Sequence, residues 1–154
     1  METEITRIVN FIREYMQEDE KVVIPVSGGI DSDVVARLCC RALGKDKIKL
    51  FIVTDNNMER KFLTNARNLA KDLEVSLTEI PIEERNIELI QILEKAEKDK
   101  IFNSKSLLDS NKIKCSMRST IISCYQDKGY IIAGCTNRTE YELGFFVTFR
   151  RQFS

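Results

Sequence analysis

Apolar residues occur along the chain in two alternating patterns, short continuous runs and longer stretches with helical spacing. Continuous apolar runs of about four to eight residues are typical of strands buried on both faces. Four such runs predict strands at residues 21–26, 47–54, 74–82 and 129–134. Stretches with apolar residues every three to four positions predict helices at residues 5–16, 31–43, 62–73, 84–98 and 113–127. A further helix is expected to start within residues 136–144, and residues 99–112, which have no clean period, are predicted to form a loop.

Three signals mark where helices begin and end. Gly44 follows the second helix and is a typical helix stop. Asn56 and Glu59, three residues apart before the third helix, have the spacing of a capping box. Asn137 or Thr136 is the candidate cap of the last helix.

The alternation of strands and helices determines the expected fold class. Strands separated by single helices form right-handed β-α-β units with parallel strands. The order predicts an α/β fold with three α-β-α layers and a mainly parallel, doubly wound, Rossmann-like sheet of about four to five strands. Residues 1–154 contain no linker and are interpreted as a single domain.

Composition excludes several classes of function. The chain has no histidine, which rules out Ser-His-Asp and Cys-His nucleophiles and metal sites that contain histidine. Its 24 basic and 24 acidic residues cancel, so no basic excess indicates a nucleic-acid partner. No apolar run approaches the roughly 20 residues of a membrane span. Five cysteines, an odd number without a C-x-x-C pair, indicate reduced thiols and a cytoplasmic protein.

The sequence "SGGIDS" at residues 27–32 stands between the first strand and the second helix. Gly28 and Gly29 let backbone amides approach a ligand, and the positive end of the following helix favours an anion. An acid at Asp31 fits such a site when Mg²⁺ lies between its carboxylate and a phosphate. The alternative is that Asp31 and Ser32 only cap the helix while the glycines form a tight turn.

This segment resembles the SGGxDS pyrophosphate loop of the N-type ATP pyrophosphatases. Members of that superfamily cleave ATP between the α and β phosphates and adenylate a substrate oxygen. The resemblance implies that residues of this segment bind ATP: Pro25, Val26, Ser27, Gly28, Gly29, Ile30, Asp31 and Ser32.

A second segment, "GCTNRTEYELGFF" at residues 134–146, is similar to a motif of ammonia-dependent NAD synthetases. The resemblance implies that Glu140 binds Mg²⁺ together with Asp31. It places Cys135 where the family has a threonine that contacts ATP, with Thr136 adjacent. The implied activity is an ATP-dependent, amide-forming ligase: the enzyme adenylates the carboxylate of deamido-NAD, ammonia displaces AMP, and pyrophosphate is released. The family also implies a homodimer whose substrate pocket spans the dimer interface.

A third segment, "NKIKCSMRST" at residues 111–120, is similar to the family's arginine-bearing motif. The two arginines of that motif fall at Ser116 and Arg118 in this chain. The resemblance implies that these two positions bind the substrate. No residue is singled out as a catalytic acid, base or nucleophile.

The end of the chain departs from the family pattern. The family continues with a lysine and a Gly-Asp pair, whereas this chain reads "FFVTFRRQFS". A truncated, frameshifted or diverged C-terminus would each explain the difference. Two other functions therefore stay open: an adenylating enzyme with another acceptor, in tRNA thiolation or sugar amidation, and a nucleotide-binding fragment without activity.

Overall fold

The computed structural model describes residues 2–136 and residue 142. Its helices, numbered in chain order, are α1 (Glu2–Tyr15), α2 (Ile30–Leu43), α3 (Arg60–Leu73), α4 (Arg85–Ala96) and α5 (Leu107–Gln126). Its strands are β1 (Lys21–Pro25), β2 (Ile48–Thr54), β3 (Leu77–Pro81) and β4 (Tyr130–Ile132). A short 3₁₀ helix, Lys45–Lys47, leads into β2. Glu140 and most of the predicted last helix lie outside the described residues.

The strands form one parallel sheet in the order β3-β2-β1-β4. Val23 in β1 lies opposite Lys49 in β2 on one side and opposite Ile132 in β4 on the other. The chain moves outward from β1 to β3 and then crosses back to place β4 beside β1. This order confirms the predicted doubly wound α/β fold, with the change of direction between β1 and β4.

Helices cover both faces of the sheet, which explains the continuous apolar runs of its central strands. Ile24 and Leu50 pack on one face, in the same cluster as Ala36 of α2 and Leu69 of α3. Val23 and Phe51 point to the other face, where α5 packs through its C-terminal half from Met117 onward. Successive side chains of a strand point to opposite faces, so both sets must be apolar when both faces are buried.

Two predictions about helix starts were wrong. The loop predicted at residues 99–112 ends early, because α5 begins at Leu107, where the Ser106 hydroxyl accepts a hydrogen bond from the Asp109 amide at 3.2 Å. The predicted capping box at Asn56 does not form: α3 begins at Arg60 without a side-chain cap. Residues before it form a turn instead, in which the Asn57 amide donates to Asp55 Oδ1 at 2.8 Å.

Candidate functional site

A cavity of about 530 Å³ lies at the carboxyl ends of β1 and β2, between the sheet, the start of α3 and one face of α5. Parallel strands present their carboxyl ends at one edge of the sheet, and ligands of open α/β folds bind there. Its walls are mainly apolar, with a few polar side chains: Pro25, Val26, Ser27, Phe51, Val53, Asp55, Asn57, Met58, Glu59, Phe62, Lys114, Arg118 and Ile122. The first three residues were predicted ligand contacts, and the structure places them in this wall.

Gly28 brings the loop after β1 into direct contact with α3. It has a φ of +77°, and a Cβ atom at this position would lie 2.1 Å from the backbone oxygen of Phe62. Asn65 of α3 also donates its side-chain amide to the Gly28 carbonyl at 3.0 Å. Only glycine permits both this backbone conformation and this close approach.

Ser32 braces the loop from inside. Its side chain is 2% exposed, and its hydroxyl accepts from the Ser27 amide at 3.2 Å and donates to the Gly29 carbonyl at 3.0 Å. The Gly29 amide in turn donates to the Ser27 hydroxyl at 3.2 Å. The structure therefore uses the Ser32 hydroxyl to hold the loop shape, whereas the Ser27 side chain is exposed at the surface.

The alternative that Asp31 and Ser32 only cap α2 does not describe this loop. The residue at the N-cap is Gly29, and no side chain caps the helix there. Asp31 lies in the first turn of α2 with an exposed side chain. Asp31 thus lies at the positive end of α2, and its predicted role in binding Mg²⁺ stays a prediction.

Asp55 and Lys114 form an ion pair at the wall of the cavity. Their side chains are 4% and 21% exposed, so the pair is largely shielded from water. Burial raises the pKa of the Asp55 carboxyl, but the hydrogen bonds and charges of Lys114, the Asn57 amide and Arg118 outweigh it, and its pKa is lowered overall. Asp55 Oδ2 makes no hydrogen bond of normal geometry within the described residues. The positive charge of Lys114 is therefore the main interaction that offsets the burial of this oxygen.

The two predicted substrate residues on α5 have different environments. Arg118 lies one helical turn after Lys114, and both line the cavity. Ser116 is exposed, donates its hydroxyl to the Lys112 carbonyl at 3.1 Å, and does not line the cavity. The structure therefore brings Arg118 to the loop and the strand ends, but not Ser116.

The segment after β4 returns to the end of β1. The Cys135 thiol lies 3.7 Å from the Pro25 carbonyl, and Thr136 next to it is exposed. Cys39, in the same apolar cluster as Cys135, has its pKa raised to about 11 by burial and by the neighbouring Cys135 and Cys40 thiols. A thiol with such a pKa stays protonated at neutral pH, as expected for a core residue.

The match to known proteins covers nearly the whole chain. Residues 4–150 match the family model described as NAD synthase. The chain belongs to the NAD synthase family. This confirms the family that the loop and the segment at residues 134–146 indicated.

Curated relatives agree with this family, and a solved structure shares the fold. The chain is 32% identical over 150 residues to an NH(3)-dependent NAD(+) synthetase of Methanocaldococcus jannaschii, covering 94% of this chain and 55% of the relative. It is 34% identical over 143 residues to the corresponding protein of Pyrococcus furiosus, covering 92% and 51%. The structure of an NH3-dependent NAD synthetase from Campylobacter jejuni, at 24% identity, superposes with a TM-score of 0.76 and covers 94% of this chain and 60% of that one. The chain thus spans about half the length of the curated relatives it matches.

Asp55 and Lys114 were not among the predicted site residues. Asp55 directly follows the apolar run of β2. Ligands of open α/β folds bind at the carboxyl ends of the strands, so Asp55 could have been predicted in the same way as the residues after β1. The sequence does not predict that Lys114 lies in the cavity, because its position depends on how α5 packs across the sheet. No helix among the described residues is both long and apolar enough to cross a membrane.

Proposed function

We propose that this chain forms the ATP-binding part of an NH3-dependent NAD synthetase. The observation that carries the proposal is the braced loop at residues 27–32, which lies at the carboxyl end of β1 beside a cavity of about 530 Å³. The proposed reaction activates the carboxylate of deamido-NAD with ATP to give an acyl-adenylate and pyrophosphate. Ammonia then attacks the acyl carbon, forms the amide bond and releases AMP.

The role of the protein in this reaction is to position substrates and compensate charge. Backbone amides of the loop and the N-terminus of α2 would hold the β and γ phosphates. The apolar wall, which includes Met58 and Phe62, suits the flat face of a nucleobase, and Arg118 supplies a positive charge for an anionic substrate group. Neither step needs a protein nucleophile, which is consistent with a chain that has no histidine.

Mg²⁺ fits the donor chemistry of the loop. Mg²⁺ in nucleotide sites is usually held by one or two carboxylates together with phosphate oxygens and water. Within residues 2–136 and 142, no group of three or more Asp, Glu, Cys or His side chains could form a metal site of its own, and Asp31 supplies one exposed carboxylate. Asp31 and, by the family resemblance, Glu140 would hold the ion, which would neutralise charge on the pyrophosphate leaving group.

A homodimer in the cytoplasm is the proposed state of the protein. Several large apolar side chains on α4 and on the start of α5, two helices that pack together, are exposed: Leu89, Ile92, Leu107 and Leu108. An exposed apolar surface of this kind is typical of a contact with another chain. Within the described residues Cys39, Cys40, Cys115 and Cys124 form no disulfide, which is consistent with a reducing compartment.

A different acceptor is the second candidate. The observation that favours it is Ser116, which stands where the family has an arginine and does not line the cavity. In this case the chain would still adenylate a substrate, but the acceptor would differ from deamido-NAD.

Pyrophosphate release measures the proposed activity directly. Purified protein with ATP, Mg²⁺, ammonium and deamido-NAD should release pyrophosphate, and release should fall to background when either ammonium or deamido-NAD is omitted. Release that continues without deamido-NAD would contradict the NAD synthetase proposal and favour another acceptor. ATP binding without any release would indicate a nucleotide-binding fragment.

A further inference from the structure

The first half of α5 contributes no residue to the apolar cluster through which the helix packs on the sheet. No residue of α5 is buried, and its packing against the sheet begins only at Met117. Leu107 at its start is 81% exposed. Apolar packing therefore anchors the second half of the helix to the sheet, whereas the first half lies beside α4.

Among residues 2–136 and 142, polar contacts at Ser110 and Lys114 connect the first half of α5 to other elements of the fold. The Asn86 side-chain amide of α4 donates to the Ser110 hydroxyl at 2.7 Å. One turn later, Lys114 pairs with Asp55 at the end of β2. Of these two contacts, the second joins this part of the helix to the sheet.

Asp55 is a rigid partner for Lys114. Its Oδ1 atom is fixed by the Asn57 amide, and its side chain is 4% exposed. If Lys114 moved to a ligand phosphate, it would leave a buried and unpaired carboxylate, which is strongly unfavourable. Lys114 therefore stays with Asp55 when a ligand enters the cavity.

Arg118 is the cation that remains available. It lies one turn from Lys114 on the same face of α5 and next to Met117, so the pairing of Lys114 with β2 and the apolar packing of Met117 together set where the Arg118 side chain enters the cavity. Within residues 2–136 and 142, no carboxylate forms an ion pair with Arg118.

We propose that Asp55 is a positioning residue that fixes Lys114 against β2, and thereby holds Arg118 in place to meet an anionic group of the bound substrate. Asp55 also neutralises Lys114, so the cavity offers one free guanidinium group rather than two cations. This inference rests on the proposed function, since it takes ATP and deamido-NAD as the occupants of the site.

A mutant cycle between Asp55 and Arg118 tests the inference. Binding of ATP and, separately, of deamido-NAD is measured by calorimetry for the wild type, Asp55→Asn, Arg118→Met and the double variant. Arg118→Met should weaken at least one ligand by roughly tenfold to a hundredfold, as expected for a lost hydrogen bond to a charged group. Asp55→Asn should weaken the same ligand by about tenfold, and it should have no further effect when Arg118 is already Met.

Hydrogen exchange gives a second test that needs no ligand. Asp55→Asn should raise exchange of the backbone amides at residues 107–116 by about tenfold relative to those at residues 117–126. Glu79→Gln is the matched control, because it removes a carboxylate paired with Arg67 at the exposed edge of the sheet, away from the cavity. This control should leave both exchange and binding unchanged. If Asp55→Asn does not fold, the double variant Asp55→Asn with Lys114→Met removes both charges and avoids an unpaired buried ion. It should show the same weaker binding and the same faster exchange at residues 107–116.

Several results would overturn the inference. In the binding experiments, these are additive effects of Asp55→Asn and Arg118→Met, tighter binding by Asp55→Asn, or unchanged affinity of Arg118→Met for both ligands. In the exchange experiment, it is an unchanged exchange rate at residues 107–116 in Asp55→Asn. If the wild type binds neither ATP nor deamido-NAD, the proposed function is wrong, whereas the exchange experiment still decides whether Asp55 positions α5.

Discussion

Gly28 is the residue whose identity the structure constrains most strongly. Its backbone has a positive φ, and the space that a side chain would need is occupied by the Phe62 carbonyl of α3. The sequence predicted a glycine-rich ligand loop here, but contact with α3 could not be predicted, because it depends on the angle at which α3 packs on the sheet. The glycine thus serves loop shape and helix packing together.

Gly28→Ala should lower the free energy of unfolding by about 3 kcal/mol or more, because the added methyl group would collide with backbone atoms that cannot move independently. Urea denaturation measures the change. Gly129→Ala is the matched control: Gly129 also has a positive φ, +82°, but nothing lies within 4 Å of the added carbon. This control should cost only the conformational strain, about 1–2 kcal/mol. Equal losses in the two variants would contradict the close contact at Gly28.

At the level of secondary structure, strands were easier to predict than the starts of helices. β1 and β2 are buried on both faces, so their apolar runs are continuous and visible in the sequence. The start of α5 is not visible as a periodic pattern, because Leu107 and Leu108 are exposed and no residue of the helix is buried. Its only local signal is Ser106, a residue type that also occurs often in loops.

Ser106→Ala should lower the free energy of unfolding by about 1 kcal/mol, because it removes the hydrogen bond that the Asp109 amide donates at the start of α5. Ser123→Ala is a suitable control within the same helix, since the Ser123 hydroxyl only donates to the Ser119 carbonyl one turn before it. Its effect should be within about 0.5 kcal/mol. Thermal or urea denaturation of both variants checks the result, and a Ser106 variant as stable as the Ser123 variant would place the start of the helix elsewhere.

For the whole molecule, the sequence predicted the fold class and a ligand loop at the end of β1, where the structure has a cavity, whereas the other residues of that cavity could not be predicted. The order of strands and helices predicted the parallel sheet, and "SGGIDS" predicted that a ligand binds at the end of β1. Contacts between distant segments were missed, as in the pair between Asp55 and Lys114, because they arise only when β2 and α5 come together. Ser32 is a second example. The resemblance implied that it binds ATP, whereas in the structure it is buried and its hydroxyl bonds to the backbone of the loop.

The most direct test of the account is calorimetric titration of the protein with ATP in the presence and absence of Mg²⁺. The wild type should bind one Mg-ATP per chain, and Asp31→Ala should weaken this binding by at least about tenfold, because it removes a carboxylate that the ion would use. Asp33→Ala, which removes the neighbouring carboxylate that pairs with Arg37, should bind as the wild type does. Absence of saturable ATP binding by the wild type, or equal affinity in Asp31→Ala, would contradict the central claim that the loop at residues 27–32 holds the pyrophosphate end of Mg-ATP.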